Sequence, residues 1–295
     1  MKRLEHYFPN FILTVILVLS IAGFSSVMFA SGRLYTSSAY ISSFEKHGVY
    51  QKVYDYAEGY FSDNYNVSGI PPEIYMDAVN TKTIKQAVDL KVNAFTDYIT
   101  GKTDKLEYKD PDLTELRNNL SAFFEEFAKE NNVELNDEFT AQLDNTIESA
   151  ENDIGTFSNV FMLDFMEKAG LLRLMRKLYP LMPAITAVLG AAALVCVLLI
   201  AVINRKNIRY SLYWLAVSGL CASAIMLIPC LYIKISDYFS RLVMRTDYIY
   251  YAVTGFLNDT IDSFTSLQLN IFGFSALILA AFCIWNFIYG RKHKE

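Results

Sequence analysis

Four stretches of the chain are apolar on every side, and the segment between the first two is not. The clearest stretch is Leu181 to Ile203, 23 apolar or small residues without a charge, closed by Asn204, Arg205, Lys206 and then Arg209. At about 1.5 Å of rise per residue such a helix reaches roughly 35 Å, enough to cross a hydrocarbon core of about 30 Å. Phe11 to Ala30, Tyr210 to Ile233 and Leu267 to Tyr289 are the other three uncharged runs. The pattern predicts an all-α polytopic membrane protein with four transmembrane helices.

Basic residues flank one end of each run: Lys2 and Arg3 before the first, Arg205, Lys206 and Arg209 between the second and third, Arg291, Lys292 and Lys294 after the fourth. Lys and Arg are retained on the cytoplasmic side, so all these anchors agree on a multi-pass protein of the cell membrane with both termini inside. That topology puts residues 34–178 outside the cytoplasm. The expected divisions are 1–33, a short cytoplasmic start with the first span; 34–178, the helical extracytoplasmic domain inserted between spans 1 and 2; and 179–295, the remaining spans. The first run reads as an uncleaved anchor rather than a signal peptide. Its 20 residues exceed the usual apolar region of about 7–15, and Met28 and Ala30 make a poor cleavage site.

Within 34–178 the apolar spacing is helical. Phe44, Val49, Val53, Tyr54, Ala57, Tyr60 and Phe61 recur every three or four residues over Ala39 to Asn64, before Gly69, Pro71 and Pro72 break the pattern. Further helices are expected at Glu73 to Val79, Lys82 to Thr100 ahead of Gly101, Leu113 to Glu130, and from near Asn136 to Gly155. A last one, Thr156 to Tyr179, would run into the second span, bent by Pro180 and Pro183, and could carry a tilt between domain and membrane. With no alternating strand pattern and no hairpin dipeptide, the domain is expected to be a bundle of five or six helices. Residues 234–266 are expected to be an external loop at the lipid headgroups, given Tyr238, Phe239, Tyr248, Tyr250, Tyr251, Phe256 and Phe264.

Composition sharpens this division. The chain is 53% hydrophobic and 19% charged, with a mean hydropathy of +0.22. Residues 31–178 hold 15 basic and 25 acidic side chains, a net of −10, against a net of +5 elsewhere, so the overall acidity describes neither part and nothing forms a basic nucleic-acid footprint. The four cysteines, Cys196, Cys221, Cys230 and Cys283, all lie in apolar runs and read as buried small hydrophobes; the inserted domain is expected to fold without disulfides.

The residues Tyr65, Gly69, Ile70 and Pro71, followed by Val79, Ile84, Val88, Tyr98 and Gly101 and then by three late spans, resemble a group of uncharacterised four-span integral membrane proteins of low-GC Gram-positive bacteria. The resemblance covers about half the chain and implies a bacterial cell-membrane address without a mechanism.

Candidate chemistry is sparse. The spans carry no Asp, Glu, Lys, Arg or His between their ends, which argues against ion-coupled transport. Gln268, Asn270 and Asn286 in the last span read as interhelical hydrogen-bond partners. Two small-residue stripes, Ala22 with Ser26 and Ser218, Gly219, Ala222 with Ser223, are candidate helix-packing faces, within the chain or in self-association. Asp144, Glu148 and Glu151 share a helix face, as do Glu125, Glu126 and Glu130, but neither group has a calcium-loop context and both read as solvated. His47 would be the base of any hydrolase, and no nucleophile motif accompanies it, so it reads as an exposed helix-surface residue. The sequons at Asn66, Asn119 and Asn258 matter only in a eukaryotic secretory route. Tyr50, Tyr54, Tyr56, Tyr60, Phe61 and Tyr65 occupy more than one helix face and form a candidate partner surface. No catalytic, metal or cofactor site is expected. The expected role is a non-enzymatic membrane protein, in contact with the lipid bilayer and a protein partner, whose extracytoplasmic domain binds that partner or senses envelope conditions; an oligomeric channel or transporter component is the alternative.

Overall fold

A computed structural model describes residues 7–109 and 111–292. Of the anchors, Lys2, Arg3 and Lys294 lie outside the described residues, and Arg291 and Lys292 enter only as the end of the last helix. The class is all-α: 84% of residues are helical and no strand occurs among those described. The helices are α1 (Tyr7–Leu34), α2 (Ser37–Lys46), α3 (Val49–Ser68), α4 (Pro72–Met76), α5 (Thr81–Ile99), α6 (Thr114–Glu130), α7 (Asp137–Phe157), α8 (Leu163–Lys168), α9 (Leu171–Leu178), α10 (Met182–Ile203), α11 (Arg209–Ile235) and α12 (Asp247–Lys292). Four segments are long and apolar enough to cross a membrane: Tyr7–Leu34, Leu171–Ile203, Arg209–Ile235 and Asp247–Ile288.

The chain forms two compact units. Among the described residues, the helical domain comprises those within 36–176 and 242–256, and the span unit comprises 7–35, 177–241 and 257–292. In the helical domain each helix turns one apolar stripe inward, so that Phe44, Val53, Ile84, Val88, Leu120 and Ile154 are all buried. Local chemistry sets the ends. The Asn80 side chain accepts hydrogen bonds from the amides of Lys82 (2.9 Å) and Thr83 (3.1 Å) to start α5, and Asn136 does the same for Phe139 (2.9 Å) in α7. In the span unit, α1 packs between α10 and α11. Gly23 of α1 admits Leu189 of α10, and Gly190 of α10 admits Phe24 of α1, so each helix offers a small residue where the other presents a large one.

Three expectations are corrected. The single helix over Ala39 to Asn64 is two, because Gly48 takes a left-handed conformation (φ 63°) that ends α2 and reverses the chain into α3. The helix over Thr156 to Tyr179 is broken twice. Met162 is left-handed (φ 52°), with Asn159 accepting from the Leu163 amide at 2.8 Å, and Gly170 (φ 74°) separates α8 from α9. These breaks raise the helix count, with α2 to α8 complete inside the domain against an expected five or six. Pro180 and Pro183 stand in the first turns of a short 3-10 helix and of α10, where the absent N–H costs little.

The third correction concerns 234–266, which is not a loop throughout. Residues from Asp247 onward belong to α12, whose first part (247–256) lies in the helical domain and whose remainder lies in the span unit. Tyr248, Ala252 and Phe256, at i, i+4 and i+8, are buried. Phe256 stacks on Tyr40 (4.2 Å between ring centroids, 14° between planes), and Tyr40 also meets Phe95 and Phe161 edge-on. These aromatics are core side chains supplied from the far end of the sequence.

A candidate ligand pocket in the helical domain

The C-terminal half of α3 brings Tyr60, Asn64, Val67 and Ser68 to one side, at i, i+4, i+7 and i+8. Opposite them α7 presents Asn145, Ser149 and Asp153 at the same period, beside Thr146 and Ala150. Phe61, Ile70, Tyr75 of α4 and Phe124 of α6 complete a cavity of about 360 Å³. That is within the range of small-molecule sites, about 300–1,000 Å³. Phe61 and Tyr75 stack nearly parallel (4.1 Å, 6°), which gives the cavity a flat aromatic wall.

Asp153 is the only ionisable carboxyl group in the lining. Burial raises its pKa, opposed by a hydrogen bond from the Tyr60 hydroxyl. Its charge acts back on the phenols. Tyr60 is shifted upward by burial and then by Asp153, and Tyr75 is pushed up to about 12 by burial, Asp153 and Tyr60. A carboxylate set among tyrosines, amides and an aromatic wall favours a ligand group that donates hydrogen bonds or carries positive charge. Among the described residues no group of three His, Cys, Asp or Glu is placed to hold a metal ion.

Of the six candidate partner-surface residues, Tyr60 and Phe61 line this pocket. Tyr50 and Phe61 are buried, and so drop out of any exposed surface: the Tyr50 hydroxyl donates to Asp89 at 2.7 Å, and Phe61 is held by Tyr75. Burial, with Asp89, raises the Tyr50 pKa well above the usual phenol value. Tyr54 is half-buried. Tyr56 packs against Phe157 and Tyr248, while Tyr65 is exposed on the outer side of α3.

His47 is not on an exposed helix surface. It caps α2 half-buried, and its ring lies where a Cβ on Gly255 would approach to 2.6 Å. Glu151 is held by Arg117 (2.5 Å), while Asp144 and Glu148 are exposed. The pocket's polar side, Asn145, Ser149 and Asp153, was missed, although a polar stripe beside the apolar Ile147, Ala150 and Ile154 is visible in the α7 sequence.

In the span unit the small-residue stripes are internal contacts. Ala22 and Ala222 meet in one cluster with Val18, and the Ser26 hydroxyl donates to the Ala22 carbonyl (2.8 Å) beside the Met226 sulfur. Ser218 and Ser223 are buried and bond back to their own helix, while Gly219 makes room for Ser275 of α12. Gln268 donates to Ser25 Oγ at 3.0 Å, whereas Asn270 and Asn286 face outward. Cys196 and Cys230 are buried, but Cys221 and Cys283 are exposed on the outer faces of their helices, where an apolar thiol suits lipid as well as it suits a core.

Comparison with family models, curated proteins and solved structures returned no match for this chain.

Proposed function

We propose that this is a non-enzymatic integral membrane protein whose helical domain faces away from the cytoplasm and binds a partner, or a small envelope component, in the α3–α7 pocket. The observation that carries this reading is Asp153, a half-buried carboxylate beside an aromatic wall in a cavity of ligand size. A group placed this way is costly to the fold unless something else benefits from it. The favoured occupant carries a cationic or hydrogen-bond-donating group, on a small molecule or at the tip of a protein partner.

The orientation rests on Arg205, Lys206 and Arg209 and on the basic residues near both chain ends. The resemblance to four-span proteins of Gram-positive bacteria adds the cell membrane as the address, with signals passed on by helix contacts to other membrane proteins. Gln268, a buried polar side chain of the fourth span, is bonded to Ser25 and so serves helix packing, which favours binding over a pore.

Ser149→Trp fills the pocket without touching the core stripe of α7. Full-length protein carrying it, checked for an unchanged melting curve, is expected to lose the partners or ligands that co-purify with the native chain from mild detergent. Recovery of the same set at the same yield would exclude the pocket as the binding site.

A further inference from the structure

The α3–α7 pocket holds one carboxylate and compensates it weakly. Asp153 receives a hydrogen bond from the Tyr60 phenol, and no Lys, Arg or His stands among the described residues that line the cavity. The phenols beside it are neutral at physiological pH, since Tyr60 and Tyr75 are both shifted upward, by burial first and then by Asp153. A carboxylate drawn partly out of water and given one neutral donor keeps most of its acceptor capacity unused.

Several donors in the same wall are turned back on their own helices. On α3 the Asn64 amide donates to the Tyr60 carbonyl at 3.0 Å and the Ser68 hydroxyl to the Asn64 carbonyl at 3.1 Å; on α7 the Thr146 hydroxyl donates to the Gln142 carbonyl at 2.9 Å. An anion entering here would meet a carboxylate and donors already engaged. Aromatic rings supply the rest. Phe61 and Tyr75 lie parallel, and Tyr60 meets Phe61 edge-on (5.5 Å between centroids, 77° between planes), so three rings form a corner, and Phe124 of α6 also lines the cavity. Ring faces attract cations through their quadrupole, and a carboxylate beside them adds the opposite charge, which together is the recognition chemistry of ammonium groups.

We infer that the ligand of this pocket is a small organic ammonium ion, its nitrogen set between the Asp153 carboxylate and the aromatic corner. The inference rests on the α3–α7 pocket being the binding site, as proposed above, and adds the class of ligand. A methylated head binds chiefly through the rings. A primary amine adds hydrogen bonds to Asp153 and to the side-chain oxygens of Asn145 and Ser149, one and two turns before it on α7.

Full-length protein in a neutral maltoside detergent is dialysed to equilibrium at pH 7 against radiolabelled choline and, separately, radiolabelled ethanolamine, with 3,3-dimethylbutan-1-ol as the uncharged competitor of choline's shape. Saturable binding of either cation, displaced about tenfold less well by the alcohol, is the expected result. Tighter binding of choline identifies a methylated head, and tighter binding of ethanolamine a primary amine. No saturable binding of either, or displacement by the alcohol as effective as by unlabelled choline, overturns the inference. Asp153→Asn is expected to weaken binding about tenfold or more with the fold intact, and Phe124→Leu, which keeps the apolar bulk and removes the ring, to weaken choline about 2- to 30-fold. Unchanged affinity in D153N would also overturn it. Ser149→Trp separates the ligand class from the pocket. If S149W loses its co-purifying partners while neither cation binds the native chain, the pocket stands and the ammonium class falls; if a cation binds S149W as tightly as the native chain, the site lies elsewhere and both fall.

Discussion

The two units are built on opposite rules from one chain. In the helical domain the largest side chains are inside: Phe44 is fully buried, as are Ile84, Leu116 and Leu120. In the span unit the fully buried positions include Ser218, Ala222 and Ser223, while Leu198 is 56% and Leu277 70% exposed. The difference follows from the solvent each surface suits. Removing a large apolar side chain from water contributes about 1.5–3 kcal/mol, so amphipathic helices in water bury their Phe and Leu. Lipid is as apolar as leucine, so no such gain exists between spans, and close approach of small residues with a few hydrogen bonds takes over. The Gly23–Leu189 and Gly190–Phe24 contacts and the Gln268–Ser25 bond are that second rule in operation.

The sharpest test of the contrast replaces one large apolar side chain in each unit. Phe44→Ala should destabilise the helical domain by about 3–5 kcal/mol, whereas Leu198→Ala on the outer face of α10 should cost less than about 0.5 kcal/mol in detergent. Comparable losses in denaturant titrations of the two full-length variants would mean that the exposed faces of the spans are packed against something after all. Next in size is Gly255→Ala, which pushes a methyl group into the His47 ring. An expected loss of about 1–3 kcal/mol, relieved in the double variant with His47→Ala, would confirm that the start of α12 is part of the domain core. A near-neutral result would show that the ring moves aside freely.

Gln268→Leu removes one interhelical hydrogen bond from the span unit, and about 0.6 kcal/mol is the expected cost. A loss of several kcal/mol would instead assign Gln268 a larger polar network. The smallest effect belongs to Asp153, and it has a sign. Because burial raises its folded-state pKa, the cost it imposes is absent below the ordinary aspartate value of about 3.9 and grows as pH rises through the folded-state value. Asp153→Asn should therefore raise the melting temperature at pH 7, with the gain shrinking as pH falls toward 4. A gain independent of pH would assign the effect to packing rather than to charge.

Local signals were enough for a good part of this molecule. The four apolar runs, the caps at Asn80 and Asn136 and the glycine stops after α3 and α5 depend on chemistry within a few residues, and their positions can be read by eye. The double break around Asn159 and Gly170 was also local in cause, but a Gly in an apolar run and an Asn in a polar one are common enough to pass unnoticed. The candidate site was less legible. Tyr60 and Phe61 stood out as aromatics, yet nothing near them in sequence indicates Asp153, about 90 residues away, or that Tyr50 would be sealed over Asp89.

By itself the sequence determined that the chain is helical, that four segments suit a membrane, and that the acidic insert between the first two of them folds under the rules of water, because periodicity and charge act within a turn or two. Only the tertiary structure decided that residues 247–256 complete the core of that insert, and which aromatics are wall and which are surface. Those outcomes depend on which distant helix arrives at a given face, and no short-range pattern encodes the partner.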